Sequence, residues 1–191
     1  MKTFEIWAQF KVSERDCEIV RDFFINEIGV KRKFTIRNLH LTVYHARRPL
    51  NGVVSSETPI DIKINTNNTR FMVLTPGGEN QNINHLPTEH KVGVRIKRNC
   101  NTFQDILHYR SGFFPHETQR VLGQRKPSDH RKNAFGTRSF QPHIALLRSG
   151  SGIDFDLSKT GTLFRNKIKQ LTFDKYLIEI KVKNTNITDS R

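Results

Sequence analysis

The chain has 191 residues, 35% of them hydrophobic, and its 32 lysines and arginines against 18 aspartates and glutamates give a net charge of +14. This length suits one domain or a compact two-lobed unit, and the charge favours a polyanionic partner such as RNA, DNA or nucleotide phosphates; a merely soluble basic surface is the alternative. No run of about 18 apolar residues and no apolar leader is present, which argues against a membrane span and a secretory signal. Cys17 and Cys100 lack the spacing of a zinc site or a disulfide scaffold, so we expect two buried, reduced thiols in a cytoplasmic protein.

The first part of the chain predicts a strand, a helix and a second strand. Apolar and polar residues alternate over 4–12, which is the period of a strand with one buried face. Ser13 is placed to cap a helix that Gly29 ends. In the second strand, side chains alternate between two faces. One face carries Leu39, Leu41 and Val43, and the other carries His40, Thr42 and Tyr44.

The remainder of the chain mixes further strands with short helical segments. Strands are predicted over 60–65, 70–74 and 91–96, and after a short helix around 103–107 a long polar connection runs from 111 to 139. Another strand starts near His143, and the segments 168–173 and 175–183 close the domain. The absence of a regular βαβ repeat predicts an α+β fold with mostly antiparallel pairing. We expect residues 1–183 to form a single two-lobed domain and 184–191 to be a frayed tail.

Two similar segments stand out as candidates for chemistry. His40 is followed two positions later by Thr42, and His143 by Ala145, each within a strand pattern. Residues two apart on a strand project from the same face about 6.5–7 Å apart. A histidine and a threonine placed in this way can bind one phosphate, with the imidazole moving a proton and the hydroxyl donating a hydrogen bond. The alternative is a pair of structural histidines on a half-exposed strand face.

These paired segments, together with the element order around them, resemble the 2H phosphoesterase superfamily. That group is named for two H-x-[ST] motifs, and it includes bacterial RNA 2′,3′-cyclic phosphodiesterases and phage enzymes that destroy cyclic oligonucleotide signals. The resemblance implies an α+β fold of two lobes related by a pseudo-two-fold axis, with the catalytic cleft between them. It also implies that His40 and His143 are the acid and base and that Thr42 donates to a phosphate oxygen.

Further site residues follow from the same resemblance. Arg148 occupies a position where relatives often carry a basic residue, so it is expected to help hold the anion. Ala145 departs from the expected threonine or serine, which leaves Arg148 or Ser139 as replacement donors or weakens this half of the site. Tyr44 is a candidate for stacking on a base, with core packing as the alternative. Basic segments at 31–33 and 125–132 are candidate contacts to more distant phosphates.

The favoured function is a phosphodiesterase that cleaves RNA or an oligonucleotide with two histidines and needs no metal or other cofactor. One alternative is hydrolysis of a cyclic oligonucleotide second messenger, and another is a catalytically weak RNA- or nucleotide-binding domain on the same fold. The other six histidines are interpreted as solvated or structural residues: His45, His85, His90, His108, His116 and His130. No membrane partner is expected.

Overall fold

The computed structural model describes residues 2–75, 78–80, 91–117, 140–149 and 156–184 of the chain. Within these residues, eight strands form one sheet whose neighbouring strands are all antiparallel. The strands are β1 (Lys2–Val12), β2 (His40–Ala46), β3 (Ser56–Asn65), β4 (Thr69–Thr75), β5 (Gly78–Asn80), β6 (Lys91–Ile96), β7 (His143–Leu147) and β8 (Gln170–Asn184). The α+β class and the antiparallel pairing predicted from the sequence are confirmed.

The strands that carry the two histidines lie side by side in the middle of the sheet. The strand order is β3-β8-β1-β2-β7-β6-β4-β5. β2 and β7 share a single registered pair, Leu41 beside Ile144. The ladders on either side are much longer, since β1 pairs with β8 along its whole length and β4 pairs with β6 from Thr69 to Leu74. Two four-stranded halves therefore meet at a short seam between β2 and β7.

The described helices pack on one face of this sheet. They are α1 (Glu14–Asp22) with its π-helical continuation (Phe23–Ile28), α2 (Asn101–Ser111), α3 (Leu157–Lys167) and three single 3-10 turns (Arg32–Phe34, Thr66–Asn68 and Phe114–His116). Phe24 stacks against Phe71 and Phe164, and Tyr109 meets Phe10 edge-on at 5.0 Å. None of the described helices is long and apolar enough to cross a membrane.

The capping residue and the terminal glycine predicted for the first helix are both confirmed. The Ser13 Oγ accepts a hydrogen bond from the Asp16 amide at 3.2 Å, which satisfies one of the free amides of the first turn. Gly29 ends the helical segment in a left-handed conformation with φ of 83°, which glycine adopts without a steric penalty. The π-helical turn before it was not predicted, because apolar spacing alone does not distinguish hydrogen-bond patterns within a helix.

One helix and one strand end differ from the sequence-based prediction. The helix α3 was missed because Gly161, a poor helix former, interrupts its apolar stripe. Gly161 is required by contact with β4, since a Cβ at this position would lie 2.8 Å from the Phe71 Cβ. At the C-terminus, Asn184 belongs to β8 and pairs with Lys2, so the expected frayed tail does not include it. Residues 185–191 lie outside the described residues.

The apolar side chains of the central strands form one core beneath the helices. Phe10, Leu41, Ile144 and Val94 come from four adjacent strands, and all are fully buried in the same cluster. Cys17 and Cys100 are buried free thiols, as expected. Because strand side chains alternate, the residues next to these four project from the opposite face of the sheet. We call this opposite surface of β1, β2, β7, β6 and the neighbouring β4 the polar face.

Candidate active site

The register of the central strands brings both sequence motifs to the polar face. Because β2 and β7 are antiparallel with Leu41 beside Ile144, His40 lies beside the position of Ala145 and Thr42 lies beside His143. All four side chains point away from the core that Leu41 and Ile144 enter. The two histidines occupy diagonal positions across the pair, about 7–8 Å apart between backbones. The structure therefore joins residues that are more than 100 positions apart in sequence.

Both imidazole rings are held by the same local hydrogen bond. The Nδ1 atom of His40 lies 3.4 Å from the carbonyl oxygen of Asn38, and the Nδ1 of His143 lies 3.0 Å from that of Gln141. A carbonyl oxygen only accepts, so in each ring the Nδ1 carries the hydrogen and donates it. In the neutral ring, Nε2 is then the nitrogen that is left to accept a proton. The repeat of this contact two residues before each strand gives the two motifs equivalent orientations.

The electrostatic surroundings favour the neutral form of His40. Burial is the largest cause that lowers its pKa, and the nearby positive groups Lys11, His143 and Lys91 lower it further. The hydrogen bond to Asn38 acts in the opposite direction. These groups together favour the neutral ring, which is the form that can accept a proton.

The residue two positions after each histidine lies beside the histidine of the other motif. Thr42 lies beside His143, whereas Ala145, where a threonine was expected, lies beside His40. On the other side of His40, β1 places Lys11 directly opposite in the ladder. The Lys11 ammonium donates to the Gln9 Oε1 at 2.7 Å and is half-buried at the polar face. Lys11 therefore supplies a cationic donor next to the histidine whose hydroxyl neighbour is missing.

A second cation flanks the other histidine. Arg95 of β6 pairs with His143, and Arg70 of β4 pairs with Arg95, so both belong to the polar face. Sequence reasoning missed Lys11, Arg95 and Arg70 because each was considered only as part of a strand pattern. The usable signal was that these cations occupy the polar positions of strands whose other positions are apolar.

A cavity of about 890 Å³ opens at the end of β1, and its lining includes neither His40 nor His143. Its wall includes Lys11, Asn38 and Leu39, which are neighbours of His40 in the sheet and in sequence. The cavity extends to charged residues of both signs at the end of β1 and on α1, including Glu14 and Arg21. Lys11 is thus shared between the polar face and this cavity.

The structure contradicts the prediction that Tyr44 shares a face with His40. The ladder between β1 and β2 shifts between Ala8 and Gln9, so Tyr44 pairs with Ala8 and turns toward the core. Tyr44 is 2% exposed and stacks on Phe113 with ring centroids 4.3 Å apart. A β-bulge reverses the alternation of the strand, and the sequence pattern shows no sign of it. The alternative interpretation of Tyr44, core packing, is the correct one.

Arg148 lies just beyond β7, at the end opposite to His143. Five residues separate the two, which corresponds to about 17 Å of strand. The Arg148 side chain is exposed, and its amide donates to the Phe34 carbonyl at 2.8 Å. Arg148 is three positions beyond Ala145, the residue beside His40, and its role in anion binding stays a prediction. Ser139 and the basic segment 125–132 lie outside the described residues.

The remaining described histidines are placed away from the pair. His45 stacks on Trp7 at 3.8 Å, and the Nδ1 of His116 lies 2.7 Å from the Asn51 carbonyl oxygen. His108 is exposed on α2, on the helical side of the sheet. His85, His90 and His130 lie outside the described residues. Nowhere in the described ranges do three His, Cys, Asp or Glu side chains form a group that could hold a metal ion.

Comparison with family models and with curated proteins does not identify a family for this chain. The chain matches no protein-family model, and no curated protein matches it.

Proposed function

We propose that this protein is a phosphodiesterase that cleaves RNA or an oligonucleotide with His40 and His143 as its acid–base pair. The observation that supports this most is the placement of two imidazoles diagonally across the β2–β7 seam, each with its Nδ1 near the carbonyl oxygen two residues before it. Thr42 lies on the same face, beside His143. The cations Lys11 and Arg95, one beside each histidine, favour an anionic substrate.

In this reaction each histidine carries one proton transfer. The Nε2 of His40 takes the proton of the attacking oxygen, from water or a ribose 2′-hydroxyl, as that oxygen bonds to phosphorus. The Nε2 of His143 gives a proton to the leaving oxygen as its bond to phosphorus breaks. Thr42 and Lys11 stabilise the charge on the other phosphoryl oxygens. Each proton transfer typically contributes about 10²–10⁴ in rate, and the pair supplies both transfers without a metal ion.

The arrangement of the elements supports the two-lobed, pseudo-two-fold description as part of the proposal. β1 and β2 are adjacent antiparallel strands joined through α1, and β6 and β7 are adjacent antiparallel strands joined through α2. The order β1-β2-β7-β6 therefore repeats one strand–helix–strand unit about the seam. Each unit places its histidine strand inward, so the catalytic groups lie where the two units meet.

Two other functions have a specific observation in their favour. The cavity of about 890 Å³ that Lys11, Asn38 and Leu39 line has a volume that would hold part of a cyclic oligonucleotide, which favours cleavage of a ring-shaped second messenger. Ala145 removes one hydroxyl from the site, which favours a nucleotide-binding domain with weak or no catalysis.

A turnover screen in excess EDTA tests the proposed function. The panel contains 2′,3′-cyclic mononucleotides, RNA with a 2′,3′-cyclic end, 2′-5′ and 3′-5′ RNA oligomers, and cyclic di- and trinucleotides, with products identified by mass. We expect turnover of the RNA substrates. Turnover of the cyclic oligonucleotides alone would favour the second-messenger alternative. Binding without turnover of any substrate would favour the binding domain.

The same substrates test the role of the two histidines. We expect His40→Ala and His143→Ala each to lower kcat by about 10²–10⁴, because each removes one proton transfer. His108→Ala is the matched control, since this exposed histidine lies on α2. Circular dichroism shows whether the variants are folded. Full activity in either site variant would refute the two-histidine mechanism.

A further inference from the structure

Three cations on the polar face, together with the two histidines, follow one diagonal line across the sheet. Lys11 and His40 are paired neighbours at one level of the sheet. His143, Arg95 and Arg70 are paired neighbours at the next level, two residues further along the strands. The step between the two levels falls at the β2–β7 seam, between the histidines. We call these five residues the cationic diagonal.

This line extends on both sides of the histidine pair and has a defined end. From β1 to β4 it crosses four strand spacings, or about 19 Å at about 4.8 Å per spacing. Beyond Lys11, the next residue at that level is Lys175 of β8, whose ammonium is paired with Glu57 at 2.9 Å. The residues at the level of Lys11 on the other half are Ala145 and Gly93, which carry no charge. Lys91, two positions before Gly93 on β6, adds one further exposed cation to this face and lies off the diagonal. The diagonal is therefore the row of charge that passes through the histidine pair, with Lys91 to one side of it.

We propose that this face binds a linear single-stranded RNA along the cationic diagonal, with the cleaved phosphodiester inside the strand. This inference rests on the proposed function and names its substrate class. The reacting phosphate lies between His40 and His143. The Lys11 ammonium has three N–H groups, of which one donates to Gln9, and the other two contact the reacting phosphate and one neighbouring phosphate. The phosphates on the other side lie at Arg95 and Arg70. A mononucleotide has no neighbouring phosphates, and a strand that reacts at its terminal phosphate has them on one side only. Salt bridges to phosphates on both sides therefore distinguish this substrate from those two.

The length and shape of the line favour an extended strand over a small ring. A cyclic di- or trinucleotide holds its phosphates close together, so we expect it to contact fewer residues of the diagonal, whose end strands are about 19 Å apart. For a linear RNA the chemistry needs no further reactant. The 2′-oxygen loses its proton to His40 and bonds to phosphorus, the bond to the 5′-oxygen breaks, and that oxygen takes a proton from His143. The products are a 2′,3′-cyclic phosphate and a 5′-hydroxyl.

Binding of an uncleavable RNA separates this inference from the catalytic proposal. The probes are 2′-O-methyl RNAs of two, four and six nucleotides, whose Kd is measured by fluorescence anisotropy at several salt concentrations. The variant is Arg70→Gln, an exposed residue of the diagonal. The matched control is Lys159→Gln, which removes one exposed charge from α3 on the helical side of the sheet. Cleavage of the unmodified hexamer is measured in parallel.

We expect affinity to increase with length up to six nucleotides. Arg70→Gln should weaken binding of the hexamer about tenfold and reduce its salt slope by about 0.7, the value for one phosphate contact of a single strand. Lys159→Gln should change neither quantity. If Arg70→Gln binds the hexamer like the wild type while cleavage of RNA persists, the diagonal is refuted and the proposed function stands. Binding that depends on Arg70 without any cleavage supports the diagonal and refutes the catalytic proposal. A cyclic dinucleotide that competes as well as the hexamer overturns the linear substrate.

Discussion

Lys11 is the charged neighbour that lowers the pKa of His40 the most, after burial of the ring itself. It lies opposite that histidine in the β1–β2 ladder, and its charge is among the causes that lower the pKa of His40. A lowered pKa leaves the ring neutral at neutral pH, which is the form that accepts a proton. The same ammonium is available to the phosphate that the histidine would activate.

The pH profile of catalysis tests this arrangement. We expect the acid limb of kcat/KM to lie below the ordinary histidine pKa of about 6.5, because kcat/KM falls when His40 becomes protonated. In Lys11→Met the positive charge is lost, so the pKa of His40 rises and the acid limb moves to higher pH. Lys159→Met is the control, because its charge is on α3. An acid limb that is the same in both variants would contradict a role for Lys11.

Ala145 allows a second test at the scale of single residues. Because position 145 lies beside His40, Ala145→Thr places a hydroxyl at the missing position, and Ala145→Val has the same shape without the hydroxyl. We expect the threonine variant to exceed the valine variant in kcat by less than about tenfold, since Lys11 already supplies a donor there. An increase of about 10²–10³ from an almost inactive wild type would instead favour the binding-domain alternative.

At the scale of elements, the site depends on the close approach of β6 to β7. A Cβ on Gly93 would clash with the Ile144 carbonyl oxygen and lie 2.5 Å from the Leu74 Cδ1. The backbone contact cannot be relieved by rotating a side chain, so any larger residue would push the two strands apart. Since β7 carries His143 and β6 carries Arg95, this contact sets the position of both.

The expected cost of disturbing this contact is measurable by chemical denaturation. Gly93→Ala should lower the free energy of unfolding by about 1–3 kcal/mol, as overpacking typically does, and should lower turnover as His143 shifts. Gly112→Ala is the control, with a right-handed φ of −59° and its closest contact at 3.2 Å. It should cost less than about 1 kcal/mol. Equal stability of Gly93→Ala and the wild type would show that the strands have room to adjust.

A bulge in β2 separates the parts of this strand that face the site and the core. His40 and Thr42 precede the irregularity and project to the polar face, and Tyr44 follows it and is buried. The carbonyl of Val43, at the bulge, accepts a hydrogen bond from Arg110 at 2.6 Å. Arg110 is 6% exposed, and its guanidinium lies 4.0 Å from the ring centre of Phe140, which precedes the second motif. One buried arginine thus contacts the chain segments of both motifs.

At the scale of the whole molecule, the net charge of +14 attracts an anionic substrate, and the shape of that substrate decides how many cations it neutralises. Salt dependence of kcat/KM distinguishes the two enzymatic alternatives. We expect a steep decrease with salt for a linear RNA, because it neutralises several cations at once, and a shallower decrease for a cyclic dinucleotide. Uncharged crowding agents at matched osmolality serve as the control. Equal slopes for the two substrates would contradict extended binding across the sheet.

Much of the secondary structure and the histidine pair could be predicted from local patterns. Alternation identified β1 and β6, and Ser13 and Gly29 marked the ends of the first helical segment, because these signals depend on neighbours in the chain. Helix α3 and the burial of Tyr44 could not be predicted in this way. The first depends on the fit of Gly161 against Phe71, and the second on a bulge in the ladder between β1 and β2.

The sequence by itself determined the charge of the protein, its α+β class and the choice of His40, Thr42 and His143 as candidates. These features follow from composition and from side-chain periodicity along single strands. Only the tertiary structure decided which cations accompany the pair. Lys11 and Arg95 join it through strand register, which depends on the packing of the whole core and is not encoded in the spacing of any one segment.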